Sequence, residues 1–100
     1  MTLFAELPPI RAIRRLLIAN RGEIAVRVIR ACRDEGITAV AVYADEDQNA
    51  LFTCMADEAY ALGSGRPAGT YLNAAKIIAI AKANNVDSIH PGYGFLSERA

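Results

Sequence analysis

The run Leu16-Leu17-Ile18-Ala19-Asn20-Arg21-Gly22-Glu23-Ile24-Ala25-Val26-Arg27-Val28-Ile29-Arg30-Ala31-Cys32 changes its hydrophobic period part-way, and that change constrains the fold more than any other feature. Leu16 to Ala19 are continuously apolar, as a strand buried on both faces must be. Beyond Gly22 the apolar residues Ile24, Ala25, Val28, Ile29 and Cys32 recur three and four apart, on one face of a helix. Asn20, Arg21 and Gly22 are the turn between the two. A strand that turns tightly into an amphipathic helix opens a βαβ unit. It also sets polar groups beside a helix N-terminus, where free N–H groups favour negative charge.

The next elements repeat the alternation. Gly36 stands where the first helix needs a left-handed C′ residue, after Asp34-Glu35. The helix's outer face carries Glu23, Arg27, Arg30 and Asp34, whose opposite charges four apart predict the pairs Glu23–Arg27 and Arg30–Asp34. That face is either solvated or a contact surface for another subunit. Residues 37–44 read as a second strand, residues 50–55 as a short helix and residues 58–62 as a third strand. Gly63-Ser64-Gly65-Arg66-Pro67-Ala68-Gly69 lacks the Gly-Lys-Ser/Thr of a phosphate cradle and reads as a flexible connection. Asn73 is placed to cap a helix through Asn84, with Ile77, Ile78, Ile80 and Ala81 inward and Lys76 and Lys82 outward. Asn85 can end it in the left-handed conformation, and residues 86–90 make a fourth strand. The expected fold is therefore α/β: a Rossmann-like parallel sheet of about four strands with helices on both faces.

Composition narrows the function classes. One hundred residues suffice for one domain. Eleven basic residues balance eleven acidic ones, and no basic stripe interleaved with aromatics marks a nucleic-acid surface. No apolar run has membrane-spanning length. The two cysteines and the lone histidine have no zinc-ligand spacing, so Cys32 and Cys54 read as buried reduced thiols of a cytoplasmic protein. Residues 1–14 form an N-terminal extension, read as a tail and not a secretion signal, because a basic n-region is missing and Pro8-Pro9 interrupts any helix. Ser97-Glu98-Arg99-Ala100 reads as an N-cap and one helical turn. One turn does not stand as a helix. The domain, residues 15–100, is therefore expected to be incomplete, lacking a last helix and strand.

Three chemistries compete for these residues. A dinucleotide site would use the first turn, with Asp45 at the ribose, but Asn20 stands where a first glycine belongs and Arg21 fills space a pyrophosphate needs. His90 ends a strand where open α/β sheets place ligands, yet no nucleophile elbow or second histidine accompanies it. In Pro91-Gly92-Tyr93-Gly94-Phe95-Leu96 the glycines leave the Tyr93 ring room to face a planar ligand, while both rings equally suit a core.

Residues 18–25, Ala56-Asp57-Glu58-Ala59, Tyr71-Leu72-Asn73 and residues 89–98 together resemble the N-terminal, pre-ATP-grasp domain of biotin carboxylase. The resemblance implies a parent enzyme that uses Mg-ATP and bicarbonate to carboxylate biotin on a carrier domain, with a carboxyltransferase passing the group on. It implies downstream ATP-grasp and C-terminal regions that hold ATP and magnesium, and no catalytic residue or metal ligand in this segment, which is expected to be inactive alone. Tyr93, Gly94 and Phe95 match the turn bordering the biotin pocket. Arg27, Arg30 and Asp34 match a homodimer contact of some members. Asn20, Arg21, Gly22, Glu23, His90 and Glu98 match motif positions of architectural role. Arg99 and Phe52 depart from the Asn and His that many members carry. Residues 33–37 and 56–63 resemble acyl-CoA carboxylase α chains, of fatty acid biosynthesis, more than pyruvate carboxylase. A nucleotide-binding or subunit-contact module without catalysis is the alternative of another class.

Overall fold

The computed structural model describes residues 13–66 and 69–90. The elements are β1 (Arg15–Ile18), α1 (Gly22–Glu35), β2 (Thr38–Ala44), a 3-10 turn (Asp45–Asp47), α2 (Leu51–Met55), β3 (Glu58–Gly63), α3 (Ala74–Ala83) and β4 (Ser88–His90). All strand pairings are parallel, in the order β3-β2-β1-β4. The chain thus moves outward from β1 to β3 and then returns across the sheet to the other side of β1. With the right-handed crossovers such units adopt, the reversal sets α3 on the face opposite α1. Successive residues Val40, Ala41 and Val42 are all fully buried, which only a sheet covered on both faces allows.

Local chemistry explains where the helices stop and start. Gly36 adopts φ 72° and its N–H caps carbonyls at the end of α1. The Asn73 side chain accepts from Lys76 N–H at 3.0 Å, giving α3 its N-cap. Asn85 takes φ 55° after α3. The inward face of α1 is Ala25, Val26, Ile29 and Cys32, with Ile24 and Val28 half-buried. Val26 turns inward because α1 packs against α2 as well as the sheet, and both Val26 and Phe52 line the cleft between the helices.

Several expectations need correcting. In α3, Ile77 and Ala81 are buried and Ile80 is half-buried, but Ile78 is 45% exposed. A ten-residue helix over a sheet edge buries a narrower stripe than its run of apolar residues offers. Lys76 is exposed, as its outward position predicts, and its ammonium reaches the carbonyls of Leu62 at 2.5 Å and Gly69 at 3.2 Å. Those bonds tie both ends of the glycine-rich connection to α3. Arg30 and Asp34 form no ion pair, whereas Glu23 and Arg27 do, at 3.2 Å. The extension's residues 1–12, Pro67-Ala68, Tyr93, Gly94, Phe95, Glu98 and the expected turn at 97–100 lie outside the described residues.

Candidate functional site

Open parallel sheets bind ligands beyond the strand C-termini where the strand order reverses. Here that point lies between β1 and β4, whose ends are joined by Ala19 N–H donating to His90 O at 3.0 Å. Asn20 occupies the corner and is 1% exposed. Its Oδ1 accepts the Arg21 N–H at 2.8 Å, so a side chain takes the backbone donor that a phosphate would otherwise receive. Gly22, at φ 67°, lets the chain turn into α1.

Arg21 reaches sideways across the top of the sheet. One nitrogen lies 2.8 Å from Asp47 Oδ1, and its guanidinium carbon sits 5.7 Å from the centroid of the Tyr71 ring. The buried Tyr71 hydroxyl donates to Asp47 Oδ2 at 2.5 Å and accepts the Ala44 N–H at 2.9 Å. Burial, then the Asp47 bond, pushes the Tyr71 phenol well above its ordinary range, so it stays a neutral donor. Asp47 also holds α2, its carbonyl accepting from Thr53 Oγ1 at 2.7 Å. The β1–α1 corner, the turn after β2 and the segment before α3 are thus bound through three side chains. Asp47, not Asp45, faces the corner, and neither Asp47 nor the role of Tyr71 was read from the sequence. Tyr71 lay within a quoted motif, but its partner was 24 residues away.

The other sequence-chosen residues separate. Glu23 and Arg27 pair on the surface, each more than three-quarters exposed, where such pairs contribute little. Arg30 is exposed on the same helix and lines, with Arg21, Glu23, Val26, Leu51 and Phe52, an open cleft of about 480 Å³ between α1 and α2. Asp34 is exposed one helical turn further on. Among the described residues no group of three His, Cys, Asp or Glu side chains is gathered that would hold a metal ion. No described helix is long and apolar enough to cross a membrane.

At the opposite, N-terminal edge of the sheet Arg15 grips Glu58 through two bonds of 2.7 and 2.8 Å, and Tyr60 donates to the same carboxylate at 2.6 Å. Those two donors hold the Glu58 carboxyl down at about 2, the Arg15 bond first.

A parallel sheet of this strand order, with Asn20 buried at its reversal point, defines a Rossmann-like α/β domain. The chain belongs to the biotin carboxylase N-terminal domain family, whose model matches residues 12–100. It is 57% identical over 88 residues to biotin carboxylase 1 of Bacillus subtilis, covering 88% of this chain and 20% of that protein. It is 53% identical over 91 residues to human mitochondrial pyruvate carboxylase, covering 90% of this chain and 8% of the relative. The solved biotin carboxylase domain of a thermophilic 2-oxoglutarate carboxylase, bound to ADP, superposes with a TM-score of 0.81 at 50% identity, over 87% of this chain and 19% of that one. The chain thus spans a fifth or less of the length of these relatives.

Proposed function

We propose that this chain is the N-terminal scaffold of an enzyme that carboxylates carrier-borne biotin with ATP and bicarbonate. The observation that carries the reading is the family match across residues 12–100, which includes every element of the sheet. The domain braces a downstream ATP-grasp region, which with the C-terminal region holds ATP and magnesium. Tyr93, Gly94 and Phe95 border the biotin pocket, and Arg27, Arg30 and Asp34 meet a second copy of the enzyme. Asn20, Arg21, Gly22, Glu23, His90 and Glu98 are framework positions. A biotin carrier domain and a carboxyltransferase complete the assembly, and the two free thiols, Cys32 buried and Cys54 exposed where burial is expected of both, fit a cytoplasmic setting. The acceptor is an acyl-CoA, a reading supported by residues 33–37 and 56–63. Pyruvate is the second reading, supported by the 53% identity to a pyruvate carboxylase.

The full-length polypeptide is expected to hydrolyse ATP only when bicarbonate is supplied, faster with free biotin, and to favour acetyl- or propionyl-CoA over pyruvate. Bicarbonate-independent hydrolysis, or none, removes the proposal. Preference for pyruvate replaces the acceptor alone.

A further inference from the structure

The register between β2 and β3 slips by one residue near its end. Tyr43 pairs with Ala61 but Ala44 pairs with Gly63, so Leu62 is an extra residue opposite none on β2. The extra residue of such a bulge stands outside the ladder. Its side chain is 1% exposed, which fixes the peptide in place, and its carbonyl needs a donor from elsewhere. That donor is the Lys76 ammonium, at 2.5 Å.

Lys76 also holds a second segment by both ends. Its ammonium takes the Gly69 carbonyl at 3.2 Å, and its backbone N–H donates to Asn73 Oδ1 at 3.0 Å. Between those anchors the Asn73 N–H reaches the Thr70 carbonyl at 3.0 Å, so the chain from Gly69 to Asn73 is one tight turn. Tyr71 is its midpoint. The placing of Gly69 therefore sets where the Tyr71 hydroxyl meets Asp47 and the Ala44 N–H. Ala44 is also the residue at which the register slips. Bulge and phenol thus converge on one strand end, and a single ammonium joins them.

We propose that Lys76 is a positioning residue: its ammonium couples the bulge at Leu62 to the Gly69–Asn73 turn and so fixes the Tyr71 hydroxyl against Ala44 and Asp47. Through Asp47 the device steadies the corner that Arg21 occupies. It stands on these bonds alone and not on the biotin carboxylase reading.

The Ala44 amide reports on the Tyr71 bond directly, and the full-length enzyme is the protein to use. Lys76→Met keeps the aliphatic stem and removes the ammonium. Exchange of the Ala44 N–H, located by fragmentation mass spectrometry, is expected to rise about tenfold, with Val40 near the start of β2 unchanged. Lys82, exposed on the same helix, has no side-chain bond among the described residues and supplies the control. Lys82→Met removes the same charge and should leave Ala44 as it is. Unchanged exchange at Ala44 in Lys76→Met overturns the proposal, as does an equal rise at Val40 or an equal rise in Lys82→Met. If Lys76→Met does not fold, the unaltered enzyme decides by its reactivity. An ammonium bound to two carbonyls must be released before it is acylated, so Lys76 is expected to react with N-hydroxysuccinimidyl acetate about tenfold more slowly than Lys82. Reaction at Lys76 as fast as at Lys82, or faster, overturns the proposal. Both measurements read hydrogen bonds rather than turnover, so neither outcome depends on whether the enzyme carboxylates biotin.

Discussion

Tyr71 sets its hydroxyl 2.5 Å from Asp47, and the same oxygen takes the Ala44 N–H from the end of β2. One buried phenol therefore serves a strand end and a carboxylate that also anchors Arg21. Tyr71→Phe keeps the ring, and with it the contact to Arg21, but orphans a buried N–H and one carboxylate oxygen. The expected cost is about 1–3 kcal/mol, read from the midpoint of urea unfolding. A change below about 0.5 kcal/mol would mean that water replaces the hydroxyl. Asp47→Ala removes the second anchor of Arg21 as well, and should cost more than Tyr71→Phe in the same measurement.

The opposite edge of the sheet contributes to acid stability through Glu58. Glu58 is held at about 2 against an ordinary 4.5 by Arg15 and the Tyr60 hydroxyl. Its folded value is lower than its unfolded one, so its stabilisation is complete above pH 4.5 and is lost as pH falls toward 2. Glu58→Gln keeps the shape and abolishes this titration. The variant is expected to be less stable at neutral pH and to show a flatter decline of the unfolding midpoint between about pH 4.5 and 2. Parallel pH profiles for the two proteins would place the acid sensitivity elsewhere.

What the sequence disclosed divides by range. Gly36 and Asn85 answered to the backbone angles that end a helix, and Asn73 to the N–H three residues on, so these features were readable within a few residues. The period change at Gly22 fixed the strand-to-helix corner for the same reason. Helical spacing places Lys76 on the exposed face, but it reports which way a Cβ points, not how far a four-carbon chain reaches; the ammonium ends on Leu62 and Gly69 carbonyls. Asp47 was passed over for Asp45 because the distinction lies in how the turn after β2 rotates. Only Arg21 and Tyr71, distant in sequence, reveal it. Ile78 failed because an apolar residue on a short helix has no local mark of how wide the buried stripe is.

The outer face of α1 makes a prediction about assembly. Arg27 is occupied by Glu23, while Arg30 is exposed with no ion-pair partner among the described residues. If the proposed subunit contact uses this face, reversing that charge sets like against like across the symmetry axis. Arg30→Glu in the full-length enzyme is expected to shift sedimentation toward the monomer, more so at low salt. An unchanged profile would leave these charges merely solvated. The substitution touches no buried group, so the unfolding midpoint should move by less than about 0.5 kcal/mol.

Gly36 tests whether the helix end is set by backbone angle or by packing. At φ 72° an added Cβ meets nothing within 4 Å, so a substitution there is opposed by conformation alone. Gly36→Ala is expected to destabilise the fold by about 1–2 kcal/mol, the left-handed cost of an L-residue. Gly36→Asn should cost less, because its short polar side chain tolerates that region. The ordering Gly above Asn above Ala in urea midpoints would confirm a backbone origin. Equal losses for Ala and Asn would instead implicate the neighbouring Ile37 N–H bond to the Cys32 carbonyl, 2.8 Å long, as the element disturbed.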